Sequence, residues 1–345
     1  MNPLVSILIP VFNQNEEHFR QCVQSALDQT YDTYEIVISD NHSTNGLAKV
    51  IDEFNDKKIR LVKPPVFLSM NDNFSFAAAN ALSESKYYSF LSSDDLLYPT
   101  AITELVALLE SDPQVVFAAG NIHRCMEPPT DIAARNFLIR PLTHSTRKLD
   151  DEQVIRVICP WRMASTWMAG DLVRASAYKK TGGLAQCNYL ANGDQWLTKE
   201  LLQHGKLGLI DKPLAFYRMR PEGIDAADGD RSLGIIMDNL SYYTDLRHTA
   251  QKLNNKGVLS TIAQAKWKFH FTAISLLLIN KGNKVAYPAE KSDAFNKYIH
   301  THTGALFKFA IATAMHLPYI LAVPAKHLIL KLRSMKVKLN KGAFS

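Results

Sequence analysis

Cysteine is scarce in this chain of 345 residues. No pair of its cysteines has the spacing of a structural zinc site, and so few thiols do not form the dense disulfide framework of a small secreted domain. We therefore expect reduced thiols, as in a cytoplasmic protein. The four cysteines are Cys22, Cys125, Cys159 and Cys187.

Internal repeats, low-complexity tracts and an uninterrupted run of about 20 apolar residues are also missing. The N-terminus opens directly on a strand pattern, without the charged and apolar segments of a secretory signal, so we expect no signal peptide. Hydrophobic residues make up 47% of the chain, enough to bury a substantial core. Together these features predict a globular protein.

Acidic residues are absent from residues 301–345, which contain seven of the 39 Lys and Arg residues. Residues 1–300 hold the other 32 together with all 33 acids, so the basic excess lies entirely in the tail. Because the rest of the chain is nearly neutral and has no recognisable nucleic-acid motif, we expect no nucleic-acid partner.

The same tail is apolar from Leu306 to Val323, with few interruptions, and an amphipathic basic helix is predicted after Pro324. This pattern is typical of a helix lying on an anionic membrane surface. The alternative is a helix packed on the rest of the protein with solvated lysines. The predicted apolar face consists of Leu328, Leu332, Met335 and Leu339.

Three acids follow strand-like runs in the N-terminal half. Residues 5–11 and 34–40 read as strands separated by a helix, and the second ends in Asp40. An aromatic run from residue 87 leads to Asp94 and Asp95. Since the carboxyl ends of parallel strands meet at one edge of a sheet, these acids should cluster there and suit Mg²⁺ or Mn²⁺ carrying a diphosphate. Taken alone, Asp94 could instead cap a helix beginning near Pro99.

Four motifs in order resemble the inverting family-2 glycosyltransferases of bacterial polysaccharide and O-antigen synthesis. The resemblance covers about residues 4–220 and implies a GT-A fold, a Rossmann-like, mainly parallel α/β sheet flanked by helices, here with a C-terminal helical extension. The motifs are Val5 to Asn13, Ser25-Ala26-Leu27-Asp28-Gln29-Thr30-Tyr31 before Asp40-Asn41-His42-Ser43-Thr44-Asn45, Ser92-Ser93-Asp94-Asp95 before Pro99, and the Gly182 to Arg218 segment.

The resemblance also implies roles for the donor-site residues. Asp40 would accept hydrogen bonds from the nucleotide base, usually uracil, and Pro10, Phe12 and Asn13 would wall that base. Asp94 would ligate a divalent metal, Mn²⁺ or Mg²⁺, under the donor diphosphate. The remaining donor-binding residues implied by the motif are Ser93 and Asp95.

The chain departs from the family pattern at several positions. Ser92 stands where a first acid is usual, which removes one expected ribose or metal contact. Asn45 replaces the last acid of the second motif. Phe76-Ala77 occupies the place of a usual arginine-asparagine pair, for which Asn73 would compensate.

Asp194 is the catalytic residue that the resemblance implies. It matches the second acid of the family's acidic pair, with Gly193 replacing the first, and would act as the general base on the acceptor hydroxyl. The alternative is an N-cap of the apolar helix that follows, and both roles are compatible.

Residues 218–231 are rich in glycine, acids and breakers, and they predict a mobile loop. The simpler interpretation is a linker to C-terminal helices. The functional one is a lid over the donor, with Arg218 or Arg220 near phosphate.

We therefore expect a nucleotide-sugar-binding half at 1–120, an acceptor-binding half at 121–225 and a helical region at 226–345. The expected activity is metal-assisted transfer of a sugar, with inversion, from a nucleotide-sugar (UDP-sugar favoured) to a saccharide or lipid-linked saccharide at the inner face of the cell membrane. A non-catalytic nucleotide-binding protein of the same fold is the alternative. A sugar nucleotidyltransferase is disfavoured because no glycine-rich loop follows the first strand. The oligomeric state stays open.

Overall fold

The computed structural model describes residues 2–128, 130, 147–149, 169–189, 192–219 and 231–252, and further C-terminal residues. These C-terminal residues are 270, 273–275, 277–278, 280–281, 289–302, 305–316 and 321–329. The chain divides into two compact units, one of residues 1–188 and 193–219, the other of residues 189–192 and 220–345. The predicted boundary at residue 120 stays a prediction.

The described strands of the first unit form one nine-stranded sheet in the order β3-β2-β1-β4-β8-β6-β9-β5, with β7 paired to β9. Strands β3, β2, β1 and β4 are parallel, whereas β8 runs antiparallel to both β4 and β6. The strands are β1 (Val5–Val11), β2 (Tyr34–Asp40), β3 (Ile59–Val62), β4 (Tyr87–Phe90), β5 (Leu96–Leu97), β6 (Val115–Cys125), β7 (Arg147–Leu149), β8 (Asp171–Arg174) and β9 (Lys206–Arg218).

Helices alternate with the first strands, as the predicted α/β pattern requires. The helices of this unit are α1 (Glu16–Leu27), α2 (Leu47–Phe54), α3 (Met70–Ala79), α4 (Ala101–Ser111), α5 (Ala175–Lys180) and α6 (Gly193–Leu201). Strands β1 and β2 are buried along their whole length, which is typical of parallel strands covered on both faces. Helix α1 buries Phe19, Cys22, Val23 and Ala26 on one face, and the Asn15 side chain caps its first turn by accepting from the His18 N–H.

The register brings the carboxyl ends of the strands to one edge. Val11, the last residue of β1, pairs with Asp40, the last residue of β2. Strand β4 pairs with β1 from Val5 to Leu8, so the turn after Phe90 leaves the sheet at the same edge. The predicted mainly parallel α/β sheet is therefore confirmed, and with it the clustering of strand ends.

From residue 231 on, the described residues of the second unit are helical, with α7 (Arg231–Lys252), α8 (Ala289–His302), α9 (Ala305–His316) and α10 (Leu321–Ile329). The confirmed C-terminal helical extension has its own core, in which α7, α8 and α9 contribute buried apolar residues. These include Leu233, Ile236, Leu240, Phe295, Ile299, Phe307, Ile311 and Ala314. The tail helix face predicted at residues 332–339 lies outside the described residues.

Within the described residues, a test of length and hydropathy identifies no individual helix able to cross a membrane. Helices α9 and α10, bent by 114° at the break between them, satisfy that test as a pair by length and composition.

Candidate active site

Asp40 ends β2 with its side chain nearly buried, 8% exposed. Its Oδ1 accepts a hydrogen bond from the Ser43 main-chain N–H at 2.9 Å, which folds the chain back after the strand in an Asx-type turn. One carboxylate oxygen is therefore oriented by the backbone before any ligand binds.

The loop after β1 is coupled to the loop after β2. Asn13 has φ 45°, in the left-handed region that asparagine tolerates, and its N–H donates to Ser43 Oγ at 3.0 Å. Its Oδ1 accepts from the Thr44 N–H at 2.8 Å. The two loops thus hold each other beside Asp40 through side-chain contacts with the backbone.

Phe12 provides an exposed aromatic surface at this position. Its ring is 47% exposed and contacts Phe67 edge-on, with ring centroids 4.9 Å apart. Pro10 is buried within β1. Of the three residues implied to wall a base, Phe12 and Asn13 therefore present exposed side chains, while Pro10 shapes the strand beneath them.

Two asparagines that the sequence reasoning weighed lightly or missed support the end of β2. Asn73, on α3, accepts from Ser39 Oγ at 2.6 Å and donates to the Ser39 carbonyl at 3.2 Å. Asn41 exchanges two hydrogen bonds with the backbone of Leu68, at 2.8 and 2.9 Å. These two buried amides therefore fix the residues on either side of Asp40. The sequence pattern around each asparagine does not mark it for this role.

Asp94 does not cap a helix. Helix α4 begins at Ala101 with Thr100 in the N-cap position, so the capping alternative for Asp94 is excluded. Residues 92–95 instead form a turn that follows β4, in which the Asp95 N–H donates to the Ser92 carbonyl at 3.0 Å. Asp94 and Asp95 are 6% and 2% exposed.

Elements far apart in sequence hold this turn in place. Gln14 Nε2 donates to Ser93 Oγ at 3.1 Å, which connects the turn to the loop after β1. Cys22 Sγ, on α1, donates to the Ser92 carbonyl at 3.4 Å. Burial raises the pKa of the Cys22 thiol well above its usual value, and the nearby charges of Asp95 and Asp94 raise it further.

Arg218 lies directly beneath the two acids. Its main-chain N–H donates to Asp95 Oδ1 at 2.8 Å, and its Nε donates to the Asp94 carbonyl at 3.0 Å. Its other guanidinium nitrogens donate to Gln21 on α1 at 2.7 Å and to Glu127 at 3.3 Å. Arg218 therefore holds the turn at the Asp95 carboxylate and the Asp94 carbonyl, while Gln21 and Glu127 bind the rest of its guanidinium.

Arg218 belongs to β9 as its last residue, so the prediction that the loop includes it is wrong. The side chain is only 3% exposed, because the strand directs it under the turn rather than toward solvent. Its contact with phosphate stays a prediction. Arg220 and most of the acceptor-side residues 126–160 lie outside the described residues.

Asp194 is the second residue of α6 and is half-buried. Its carbonyl accepts from Thr198 Oγ1 at 2.8 Å, a contact within the first turn of the helix. It lines a small cavity together with Asp171, from the start of β8, and Phe90, from the end of β4. Asp194 therefore lies near the carboxyl end of β4, the strand that leads into the Ser92–Asp95 turn.

Asp171 is a buried acid that the sequence reasoning missed. It is 6% exposed and pairs with Ala119 in β6. Its sequence context, an acid at the start of a short apolar run, resembles an ordinary strand boundary, so only the fold shows that it shares a cavity with Asp194.

The packing around Gly193 explains why it replaces the family's first acid. A Cβ built at this position would lie 2.9 Å from Asn71 Oδ1. Asn71 is buried, and its Nδ2 donates to the Cys187 carbonyl at 3.1 Å, which fixes the amide in that space. The room that a larger side chain at 193 needs is therefore occupied by α3.

The donor set favours a metal that arrives with the substrate. Among the described residues, no three His, Cys, Asp or Glu side chains are close enough to hold a metal ion as a protein-only site. Mg²⁺ in nucleotide sites commonly takes one or two carboxylates and completes its shell with phosphate oxygens and water. Asp94 and Asp95, next to each other at the strand end, fit such a site.

The fold and these strand-end acids define a class of protein. Solved GT-A glycosyltransferases have the same architecture. The S. aureus TarS 1–349 structure in complex with UDP-GlcNAc matches with a TM-score of 0.60 at 11% identity, covering 97% of this chain and 92% of that one. The mannosyltransferase of Pyrobaculum calidifontis, in complex with GDP-Man and Mn²⁺, matches with a TM-score of 0.53 at 15% identity, covering 96% and 86%.

The sequence identifies the family within that class. Residues 6–166 match the family described as Glycosyl transferase family 2, and this part of the chain is a family-2 glycosyltransferase domain of the GT-A type. A relative in Escherichia coli, UDP-Glc:alpha-D-GlcNAc-diphosphoundecaprenol beta-1,3-glucosyltransferase WfaP, is 31% identical over 126 residues. That match covers 35% of this chain and 46% of WfaP, so the chain spans less than half of this relative's length.

Proposed function

We propose that the chain is an inverting glycosyltransferase that moves a sugar from a UDP-sugar to the hydroxyl of a saccharide or lipid-linked saccharide, in cell-surface polysaccharide synthesis. The observation that supports the proposal is the location of three acids. Asp40 ends β2, Asp94 lies in the turn after β4, and Asp194 lines a cavity with Phe90, the last residue of β4. Open α/β sheets bind ligands at the carboxyl ends of their strands.

The nucleotide half of the donor binds at Asp40. A uracil ring has hydrogen-bond donors and a flat face, and Asp40 supplies an acceptor next to the exposed ring of Phe12. Stacking of a base on an aromatic side chain contributes about 1–3 kcal/mol. The UDP-Glc donor in the name of the relative WfaP supports a uridine nucleotide.

The Ser92–Asp95 turn is the proposed site for the diphosphate. Asp94, with Asp95 beside it, would hold Mn²⁺ or Mg²⁺ there, and such a cation would neutralise the charge that develops on the leaving diphosphate. The contribution of the chain itself is rigidity: Gln14, Cys22 and Arg218 hold the turn, so the carboxylates need little reorganisation on binding.

Asp194 acts as the general base. It accepts the proton of the acceptor hydroxyl while that oxygen attacks the anomeric carbon from the face opposite the diphosphate, which inverts the configuration. A single displacement requires one such base, and the first turn of α6 favours its ionised form because the helix dipole is positive there.

The test is a donor screen followed through to product stereochemistry. Purified protein is incubated with UDP-Glc, UDP-GlcNAc, UDP-Gal and GDP-Man, with Mn²⁺ and a saccharide or polyprenyl-diphosphosaccharide acceptor, and nucleoside diphosphate release is measured. We expect release from one UDP-sugar, and a β linkage from an α-configured donor by NMR. Retention of the α linkage would refute inversion. Tight nucleotide binding without turnover on any acceptor would favour the non-catalytic alternative, which Ser92 and Gly193 motivate.

A further inference from the structure

Helix α9 presents large apolar side chains on a face that the protein does not cover. Its Phe307, Ile311 and Ala314 pack into the core of the helical unit. Leu306 and Phe309, three positions apart and therefore on one side of the helix, are 71% and 72% exposed. These two are the most exposed large hydrophobic residues in the described part of the chain.

Helix α10 repeats the arrangement. It buries Ala322 and Ile329, whereas Leu321 and Leu328 are 55% and 58% exposed. A separation of seven residues is two helical turns, so both leucines lie on one face, and the exposed Pro324 lies between them. We call Leu306, Phe309, Leu321 and Leu328 the apolar face.

Keeping these side chains in water has a cost. Burying a leucine or phenylalanine side chain contributes about 1.5–3 kcal/mol, so four exposed ones forgo a large stabilisation. Each helix therefore exposes a pair of large apolar side chains, and large exposed apolar patches mark contacts with a protein or a membrane.

The positive charge of the surrounding chain favours a membrane over a protein as the partner of the apolar face. Lys308 and Lys326 lie on these helices, and residues 301–345 contain seven Lys and Arg residues with no Asp or Glu. An anionic bilayer offers acyl chains to the apolar face and negatively charged headgroups to the lysines. The attraction between such headgroups and each Lys or Arg near the surface contributes about 1 kcal/mol to binding. Because the opposite side of α9 is packed on protein, this helix would lie on the surface of such a bilayer and not within it.

We propose that the apolar face, with the basic residues around it, docks this protein on the surface of an anionic lipid membrane. The proposal goes beyond the transferase function and does not depend on it. If both hold, the membrane presents a lipid-linked acceptor to the same molecule that binds the soluble nucleotide-sugar.

The test is co-sedimentation of the full chain with vesicles of phosphatidylcholine alone and of phosphatidylcholine with phosphatidylglycerol. We expect binding only to the anionic vesicles, weakened by high salt because screening reduces the electrostatic part. The double variant Leu306→Gln/Phe309→Gln should bind at least about tenfold more weakly, which corresponds to ~1.4 kcal/mol. The matched control is Leu61→Gln/Leu82→Gln, which removes two exposed leucines from the first unit and should leave binding unchanged.

Circular dichroism and thermal unfolding without ligand show that each variant is folded, and neither readout depends on the transferase proposal. Absence of wild-type binding to anionic vesicles, or equal binding by the Leu306→Gln/Phe309→Gln variant, overturns the proposal. So does size-exclusion chromatography that shows a wild-type dimer and a monomeric Leu306→Gln/Phe309→Gln variant, since the apolar face would then join two copies.

Discussion

The Nε of Arg218 donates a hydrogen bond to the main-chain carbonyl of Asp94 at 3.0 Å, although the two residues are 124 positions apart. The same arginine donates its own N–H to the Asp95 carboxylate. The last residue of β9 therefore holds the turn that carries both candidate donor-site acids, and the segment predicted to bind the acceptor is joined to that turn by hydrogen bonds.

Replacing Arg218 should weaken metal-nucleotide binding, because its side chain holds the Ser92–Asp95 turn in place. In Arg218→Met the Asp94 carbonyl and Gln21 each lose a buried partner, and removing one member of a buried polar contact costs about 1–3 kcal/mol. We expect Mn²⁺-dependent UDP affinity to fall at least about tenfold, measured by calorimetry. Arg218→Lys should recover part of it, because one ammonium replaces only some of the donors.

Lys212→Met is the control for that measurement. Lys212 lies on the same strand and forms an exposed ion pair with Glu104, and such pairs contribute about 0–1 kcal/mol. Its loss should leave UDP affinity unchanged. If a folded Arg218→Met protein bound UDP with wild-type affinity, the Arg218 side chain would not be needed to hold the Ser92–Asp95 turn in position.

Asp194→Asn should separate chemistry from binding. The amide keeps the size of the side chain but cannot accept the proton of the acceptor hydroxyl, so kcat should fall by about 10²–10⁴ while UDP binding with Mn²⁺ stays near the wild-type value. Initial rates and calorimetry on one preparation measure both quantities. Full activity in the variant would assign the base to another residue, with the neighbouring Asp171 the first to examine.

The close approach of Gly193 to Asn71 predicts that the effect of Gly193→Ala on stability changes sign when Asn71 is replaced. Gly193→Ala should destabilise the wild-type protein by about 1–3 kcal/mol, because the new Cβ meets the buried Asn71 amide. In an Asn71→Ala background the same change should be neutral or stabilising, since alanine is a better helix former than glycine by up to about 1 kcal/mol. Urea unfolding of the four proteins gives the coupling, and equal costs in both backgrounds would mean that Asn71 does not restrict position 193.

Cys22 should make stability fall in alkaline solution. Its folded pKa is raised above the usual value by burial and by the two acids, so the folded state favours the neutral thiol. This contribution is complete below the unfolded thiol's pKa of about 9 and is lost as pH rises from there toward the folded pKa. Between these values the free energy of unfolding should drop by up to about 1.4 kcal/mol per pH unit relative to Cys22→Ser, which keeps a donor to the Ser92 carbonyl. Parallel pH profiles for the two proteins would contradict this expectation.

The strands and the acids at their ends were predictable because each depends on a local pattern. An apolar run such as residues 5–11 predicts a buried strand. A polar residue directly after such a run is predicted to lie at the edge of the sheet. Whether Asp94 caps a helix or lies in a turn after a strand could not be predicted from the residues next to it. The answer depends on where α4 begins, and that helix starts at Ala101 with Thr100 in the N-cap position.

The braces of the site could not be predicted for the same physical reason. Arg218 contacts the Asp94 carbonyl and Asn73 contacts Ser39, while Asp171 and Asp194 line one cavity. Each of these relationships joins elements that are distant in the sequence. A buried arginine and a buried asparagine look like ordinary polar residues in sequence. Their role follows from the register of β9 and the position of α3 over the end of β2.

The measurement that tests the central claim most directly is thermal stabilisation by UDP, GDP and dTDP, each with Mn²⁺ and with chelator, for wild type and Asp94→Asn. A ligand that binds only the folded state raises the melting temperature by mass action. We expect a shift with UDP that requires Mn²⁺ and disappears in Asp94→Asn. No shift with any nucleotide, or a UDP shift that persists with chelator and in Asp94→Asn, would contradict a metal-dependent donor site at the Ser92–Asp95 turn.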